Sequence, residues 1–451
     1  MTLSKYFFLI VMVVVSLVGA IFFIVSNNEL VISYFIVINL FFSYFAVYRY
    51  APDITLVKLS FVYLLGFSLF ICGRFFANIL GASEIYCFDF GYNYCLNQME
   101  ILYSYFLISS SLIFFLYGFL SYKHQSMNLK NNHSYYNKYI LYIFVFLGLL
   151  LGVYTLYGTI QSIFKAISTG YLSLYASQVE EYTSPIDLMI MIFFNATVAL
   201  SFSFRNKINK SIYSTIILIF LLNLIISILS GSRANFVSAI LIILWLFMGN
   251  NKLNFSKIFI TCLLGMLVIL TNSIASITGA RGASESDANL YTKIVEDILY
   301  NQGITMMVFN MGVLEDNYPL LAYIKTIFPG FQIVYSWFFP IYQYELSFSQ
   351  YLMYKLSPSL FYDGYGLAWS LLGDFYAFSF GFVFLFFFYN FIWGKLIKFV
   401  SAQYGSNYYY NGIYFCFLMS VFILNRFSIS SFLVLIIFYY LIYQCVRIKW
   451  R

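Results

Sequence analysis

The run YFFLIVMVVVSLVGAIFFIV extends from Tyr6 to Val25, directly after Lys5, and contains no charged residue. A helix of about 20 apolar residues is long enough to cross the hydrocarbon core of a bilayer. No small-residue cleavage site followed by a soluble stretch comes after this run. We therefore expect a retained first membrane helix, not a removed signal peptide.

The same character holds for the whole chain, in which 62% of the 451 residues are hydrophobic and 9% are charged. Ordinary soluble domains carry roughly 25% charged residues. We therefore predict an all-α, polytopic integral membrane protein in which residues 1–451 form a single membrane domain with about twelve spans. The predicted spans are Tyr6–Val25, Leu30–Tyr48, Leu56–Cys72, Ile101–Leu120, Tyr139–Leu156, Leu188–Phe204, Ile212–Leu229, Asn235–Met248, Ile258–Ile274, Ser370–Trp393, Tyr409–Leu424 and Ser431–Tyr443.

The charges separate by side when the N-terminus is placed in the cytoplasm, which also places the C-terminus there. Of the 24 Lys and Arg residues, 16 then lie inside, together with only Asp53 of the 17 acidic residues. This is the asymmetry that the positive-inside rule describes. The inner cations are Lys5, Arg49, Lys58, Lys123, Lys130, Lys138, Arg205, Lys207, Lys210, Lys252, Lys257, Lys395, Lys398, Arg447, Lys449 and Arg451. The cations left outside need an explanation, and they point to an anionic ligand on that side.

One large outer loop is predicted for residues 278–368, late in the chain. Its segment from Pro319 to Tyr342 is apolar and aromatic but is interrupted by Pro329, Gly330 and Pro340. Such interruptions favour an interfacial or re-entrant piece over another full crossing. A helical hairpin also stays open, because an even number of crossings leaves the later topology unchanged.

Two cysteines lie in an outer loop, in the stretch CFDFGYNYC from Cys87 to Cys95. An oxidising compartment permits a disulfide between them. Spacing alone does not fix the geometry, so a free pair stays open. A further outer loop is predicted from Gly158 to Asp187.

The stretch Ser230-Gly231-Ser232-Arg233 ends one predicted span and opens the next on the outer face. Small residues allow backbone amides and a guanidinium to converge, and arginine suits bidentate contacts with phosphate. The start of the next helix adds its positive end to the same field. The alternative is a single arginine that snorkels to the interface.

Arg281 lies in TGARG, residues 278–282, which repeats this small-residue arrangement at the outer end of another span. Arg74 and Arg426 are the other outer arginines near span ends. For each of these two, a structural ion pair and a ligand contact are equally open. All four arginines are candidates for binding an anion.

The third segment is DGYGLAWS, residues 363–370, followed by Asp374. Gly364 and Gly366 permit a tight backbone entry into the helix. Asp374 would lie about one helical turn inside the outer mouth of the predicted span, and an acid at this depth needs a partner. Any of the outer arginines could serve in a structural salt bridge. The alternative is that Asp374 orients or deprotonates a sugar hydroxyl.

These three segments resemble bacterial O-antigen (Wzy-type) polymerases, also described as oligosaccharide repeat unit polymerases. Ser-Gly-Ser-Arg at a helix start and the Gly-Tyr-Gly run leading to Asp374 look like patterns of that family. The topology is also similar over nearly the whole chain. The family usually has Glu where this chain has Asp374, a departure that shortens the reach of the acid.

The resemblance implies a glycosyltransferase-C-like, metal-independent membrane enzyme without a cofactor, in the bacterial inner membrane. Its substrate would be an undecaprenyl-pyrophosphate-linked oligosaccharide, polymerised on the periplasmic side. Membrane lipid and a chain-length regulator are the implied partners. Arg233 and Arg281 would contact the pyrophosphate, with Arg74 and Arg426 as weaker candidates.

Other functions are less consistent with the sequence. A transporter or flippase of lipid-linked oligosaccharide should carry mid-span charges and often shows internal repeats, whereas here such charges are few and no repeat is visible. An O-antigen ligase generally uses a histidine in its large outer loop, but the only histidines, His124 and His133, lie in a loop predicted to be cytoplasmic. An acyltransferase would need a nucleophile arrangement that is not seen. No signature for nucleic acid or metal binding appears.

Overall fold

The computed structural model describes residues 3–51, 58–89, 93–122, 136–169, 186–230, 233–248, 295–315 and 317–448. Within these ranges the regular structure is helical apart from one two-stranded hairpin. The helices are α1 Leu3–Ser26, α2 Glu29–Tyr50, α3 Leu59–Phe70, α4 Gly73–Ile79, α5 Gln98–Ser121, α6 Lys138–Thr169, α7 Ile186–Ser203, α8 Lys210–Ile226, α9 Arg233–Met248, α10 Ile304–Val313, α11 Leu320–Ile327, α12 Phe331–Tyr335, α13 Phe348–Leu356, α14 Pro358–Tyr362, α15 Leu371–Ala377, α16 Val383–Gln403, α17 Tyr408–Ser420 and α18 Ser430–Arg447. The hairpin strands are β1 Cys87–Asp89 and β2 Asn93–Cys95.

Eight of the described helices are long and apolar enough to cross a membrane, which fits the predicted polytopic, all-α class. A bent pair of helices raises the number to nine. The predicted count of about twelve is not reached in the described residues. The predicted span 235–248 is a helix of 16 residues and the predicted span 409–424 one of 13, while 258–274 lies outside the described ranges.

The bent pair is α3 and α4, which meet at an angle of 60° where one span, Leu56–Cys72, was predicted. The break falls at Ile71 and Cys72, whose amides both donate to the carbonyl of Phe67 at 3.0 Å. Apolar residues continue through the break, so hydropathy alone does not reveal it.

The predicted span Ser370–Trp393 is wrong in its bounds. The chain forms the short helix α15, turns, and only then enters α16, which extends to Gln403. The turn contains Phe380 with φ 50° and Gly381 with φ 79°, backbone conformations that interrupt a helix. Asp374 therefore lies before the spanning helix and not inside it.

Helix α6 also differs from its prediction, because it continues to Thr169 where the span was expected to end near Leu156. The first part of the expected outer loop, from Gly158, is thus helical. Residues 170–185 lie outside the described ranges.

Among the described helices, α5 and α16 pack together closely along their length. A Cβ added at Gly118 would overlap the carbonyl oxygen of Phe391, and one added at Gly394 would overlap that of Phe115. The two backbones therefore touch at reciprocal glycines, as in membrane helices that pack through small residues.

Residues 295–362, which the sequence places in the large outer loop, are mostly helical. Helix α10 is buried over every residue from Thr305 to Val313 and packs against α3, α4 and α15. Other parts of this region stay on the surface, with Phe328, Trp337 and Phe338 each at least 65% exposed. The region thus combines a core helix with an apolar surface segment.

Candidate functional site

Arg74 lies at the second residue of α4, directly after the bend, and is 1% exposed. Its Nη1 donates to the carbonyls of Ile85 and Cys87 at 2.8 and 2.6 Å. Its guanidinium also stacks 4.2 Å from the ring centroid of Tyr300. These contacts place Arg74 inside the fold, where it holds the loop that leads into β1.

The hairpin that follows this loop is closed by a disulfide between Cys87 and Cys95, which are paired across its antiparallel strands. Asn97 and Glu100 then form a capping box at the start of α5. This arrangement satisfies orphan amides of the helix and fixes the direction in which α5 leaves the hairpin. Arg74, the hairpin and α5 are therefore one connected unit.

Arg426 lies between a short 3-10 helix, Ile423–Asn425, and α18. It is partly exposed; its Nη1 donates to Oε1 of Gln302 and its guanidinium lies 5.6 Å from the ring centroid of Phe70. Arg426 thus contacts both the broken span α3–α4 and the segment that precedes α10.

The same segment, 299–303, is pressed against α4 through two glycines. A Cβ at Gly73 would lie 2.5 Å from the Leu299 carbonyl oxygen, and one at Gly303 would overlap the Arg74 amide nitrogen. Arg74 and Arg426 therefore contact one short segment, through Tyr300 and Gln302. The structure brings together two of the four arginines that the sequence singles out.

Asp374 lies in α15 and is 1% exposed. Its Oδ2 accepts from the amide of Ile429 at 2.6 Å, and its Oδ1 accepts from Nε1 of Trp369 at 2.9 Å and from the hydroxyl of Ser428 at 3.2 Å. Ile429 is the N-cap residue of α18. The carboxylate therefore caps a membrane helix that lies far from it in sequence, and its charge is favourable at that positive helix end.

The partners of Asp374 are themselves tightly placed. The indole of Trp369 fits between Gly312 of α10 and Gly373 of α15, where an added Cβ would lie 3.0 and 2.8 Å from the ring. Burial raises the pKa of Asp374 to about 7, while its three hydrogen bonds act in the opposite direction. The described contacts of the carboxylate are hydrogen bonds and not the salt bridge that the sequence left open.

In the Ser230-Gly231-Ser232-Arg233 stretch, the structure describes only the backbone of the first and the last residue. A 3-10 helix ends at Ser230 and α9 begins at Arg233. Gly231, Ser232 and the side chains of Ser230 and Arg233 lie outside the described part, as does Arg281.

Gly364 lies just after α14 and has φ 87°. Its amide donates to the Phe361 carbonyl at 3.0 Å, which closes the end of the helix. This left-handed conformation favours glycine. A Cβ at Gly366 would meet nothing within 4 Å. Of the two glycines in DGYG, only Gly364 is thus required by the backbone.

Lys325 in α11 is a further cation, which the sequence analysis did not single out. It is partly exposed, and burial of its ammonium lowers its pKa to about 8. No carboxylate of the described residues pairs with it, whereas Lys355 pairs with Glu315. Helix α11 packs against α18 and docks on α15 through Tyr323, whose hydroxyl donates to the Ala377 carbonyl at 3.3 Å. The available signal was a single lysine in an apolar segment bounded by prolines.

No group of three or more His, Cys, Asp or Glu side chains that could hold a metal occurs among the residues with described positions. A family model described as O-antigen polysaccharide polymerase Wzy matches residues 5–449, nearly the whole chain. No curated protein and no solved structure matches it.

Proposed function

The chain belongs to the O-antigen polysaccharide polymerase Wzy family, and from this membership we propose that it joins undecaprenyl-pyrophosphate-linked oligosaccharide repeat units. The reaction takes place on the periplasmic face of the bacterial inner membrane, with both chain termini in the cytoplasm. A chain-length regulator is the proposed protein partner. The family match over residues 5–449, together with the many apolar helices, is the observation that carries the proposal.

The proposed step is a glycosyl transfer. A hydroxyl oxygen at the non-reducing end of a newly arrived repeat unit bonds to the anomeric carbon of the growing chain. The bond from that carbon to the diphosphate oxygen breaks, and undecaprenyl diphosphate leaves with the electron pair. The hydroxyl proton passes to a base or to solvent, and neither a metal nor a cofactor takes part in the proposed chemistry.

Negative charge develops on the departing diphosphate, so fixed cations at its position lower the barrier. We assign this role to Arg233 and Arg281, with Arg426 as a weaker candidate. Arg74 and Arg426 both contact segment 299–303, and this proximity of two guanidiniums supports an anion site there. Arg74 itself serves to hold the hairpin loop, since its guanidinium is buried against two carbonyls.

Lys325 extends the same proposal. Its ammonium is charged at neutral pH, because its lowered pKa of about 8 still lies above 7. A partly buried cation without a carboxylate partner among the described residues is suited to an anionic ligand. Asp374 is assigned a positioning role, since its carboxylate is committed to the start of α18.

The proposal is tested by deleting the gene in its native background and separating the surface polysaccharide on a gel. Loss of polymerase leaves a single repeat unit on the lipid anchor and no ladder. Loss of a flippase would display no unit, and loss of a ligase would accumulate long chains on the carrier. Either of these two patterns contradicts the proposal.

The site assignment is tested by complementing the deletion with Arg233→Ala, Arg281→Ala or Lys325→Gln. Each arginine variant should abolish the ladder, and Lys325→Gln should shorten it, while Lys325→Arg should restore it. Lys252→Ala, which changes a cation on the predicted cytoplasmic side, is the control and should leave the ladder intact. Full ladders from both arginine variants remove the pyrophosphate assignment.

A further inference from the structure

An apolar groove of about 570 Å³ lies between α1, α5 and α16. Leu17 and Ala20 of α1 form one side, Phe106 and Ile113 of α5 form the floor, and Phe387 of α16 closes the other side. All three helices are long and apolar enough to cross a membrane, so the groove opens toward lipid. Its volume is in the range of binding sites for small molecules.

The Tyr105 and Ser16 hydroxyls, which line the groove, are already engaged with the protein. The hydroxyl of Tyr105 donates to the carbonyl of Ser16 at 3.0 Å, and the hydroxyl of Ser16 donates to the carbonyl of Met12 at 2.8 Å. The groove therefore presents hydrocarbon surface to its occupant. A ligand for it needs an apolar chain and gains little from polar groups at this depth.

One end of the groove reaches the helix that carries Asp374. Tyr103 lines the groove, and its hydroxyl lies 3.4 Å from the hydroxyl of Tyr376 in α15. Phe387 stacks on Phe114 at 4.4 Å, and the adjacent Phe386 packs against Tyr376 at 6.0 Å. A chain lying in the groove thus reaches α15, the helix that carries Asp374.

Close contacts at glycines set the spacing of the helices that form the groove. The reciprocal glycine contacts between Gly118, Gly394 and the facing carbonyls fix α5 against α16. Gly19 of α1 is pressed against the Tyr105 hydroxyl and the ring of Phe35, so α1 cannot move closer to α5. The groove is therefore already formed in this structure, and a preformed cleft binds a ligand without the cost of opening.

We propose that this groove binds the polyisoprenoid tail of the lipid-linked substrate. The inference rests on the proposed function and deepens it by assigning the tail to the groove between α1, α5 and α16. The tail leaves the diphosphate at the α15 end and extends along α5 toward Ile113. An acyl chain of an ordinary membrane phospholipid has similar chemistry and is the competing occupant in the test below.

The test uses purified full-length protein in nanodiscs and an undecaprenyl phosphate analogue with a benzophenone on its tail. Light should attach the probe to the α5 peptide, residues 98–121, and excess undecaprenyl phosphate should compete it away. Leu17→Trp fills the groove and should weaken labelling about tenfold. Ile10→Trp is the matched control, since Leu17 and Ile10 are 60% and 63% exposed on the same helix and Ile10 does not line the groove.

Equal labelling of the wild-type protein and Leu17→Trp overturns the inference. Competition by phosphatidylglycerol as strong as that by undecaprenyl phosphate also overturns it, because the groove then holds ordinary lipid. The polysaccharide ladder in cells distinguishes a failure of the groove assignment from a failure of the proposed function. A ladder that needs the protein, combined with unchanged labelling of Leu17→Trp, leaves the function standing and the groove assignment wrong, whereas a ladder that survives gene deletion removes both.

Discussion

At the scale of single residues, Asp374 shows how one side chain ties distant parts of the chain together. Its carboxylate joins α15, Trp369 and the first residues of α18. Replacing one carboxylate with alanine would leave the Ile429 amide and the Trp369 indole without their acceptor. Each such buried orphan donor costs about 1–3 kcal/mol.

We predict that Asp374→Ala lowers the unfolding temperature and removes the ladder, whereas Asp374→Asn retains both in large part. The asparagine Oδ1 can still accept from the Ile429 amide and serve as a helix cap. Thermal unfolding in detergent and the polysaccharide gel provide the measurements. Loss of the ladder in a fully stable Asp374→Asn protein would instead indicate proton transfer by this carboxyl.

The raised pKa of Asp374 gives a second prediction. The pKa of this group is about 7 in the folded protein against 3.8 for an ordinary aspartate, so the folded state holds the proton more tightly between these values. The stabilisation from this group is complete below about pH 4 and is lost as the pH rises to about 7. The unfolding temperature of the wild-type protein should therefore fall relative to Asp374→Asn across this interval. A constant difference between the two proteins would contradict the burial argument.

At the scale of elements, interruptions between helices position the residues of the candidate site. The bend between α3 and α4 places Arg74, the break after α17 places Arg426, and the turn at Phe380 and Gly381 separates α15 from α16. Irregular backbone at membrane depth is tolerated where protein covers it or a cavity receives it. Here the bent pair α3–α4 packs against α10, which is buried along its length and also contacts α15.

The contact between α5 and α16 gives a prediction for helix packing. Gly394→Ala places a methyl group on the Phe115 carbonyl oxygen and should cost about 1–3 kcal/mol, because the backbones must separate. Gly158→Ala is the control, since a Cβ there meets nothing within 4 Å. It should be neutral or stabilise α6 by up to about 1 kcal/mol. Size-exclusion profiles and thermal unfolding of both variants test the difference, and equal behaviour would show that the close contact is not required.

The sequence predicted the elements whose signal is local. The span Ser431–Tyr443 corresponds to α18, Ser430–Arg447, because its apolar run is bounded by polar residues at both ends. Prediction from the sequence failed where the contact that decides the structure is distant along the chain, or where the composition is uniform. The turn at Phe380 lies in a continuous aromatic run, and the acceptor role of Asp374 depends on an amide 55 residues later.

The same limit applies to the candidate site. Hydropathy and charge identified the outer arginines, but not that Arg74 is buried while Arg426 is partly exposed. Lys325 was missed, because its burial depends on the packing of α11 and not on its sequence neighbours. A cationic residue at a span end thus predicts the side of the membrane. Its role depends on tertiary contacts that the sequence does not show.

At the scale of the whole molecule, chemical labelling of the cysteines can test the orientation of the chain in the membrane. The hairpin holds Cys87 and Cys95 in a disulfide, and Cys445 lies near the other end of the protein, in the last turn of α18. We predict that the pair reacts with a maleimide–polyethylene glycol only after reduction. Cys445 should react in intact spheroplasts only with a permeant reagent.

The measurement uses a variant that keeps Cys87, Cys95 and Cys445, with the remaining cysteines changed to serine, and follows the gel shift before and after reduction. A variant that also carries Cys445→Ser identifies which band belongs to the terminal helix. Labelling of Cys445 by an impermeant reagent in intact spheroplasts would contradict the proposed orientation. Arg233 and Arg281 would then lie on the cytoplasmic side.

The contact between Gly73 and Gly303 has a practical consequence for recombining relatives with different sugar preferences. The two glycines form a matched socket, so residues on either side of it must come from one parent. Chimeras joined downstream of Gly303 take both glycines from one parent and should fold. Junctions placed anywhere between Gly73 and Gly303 combine glycine surroundings from two parents, and we expect such hybrids to be degraded before they reach the gel.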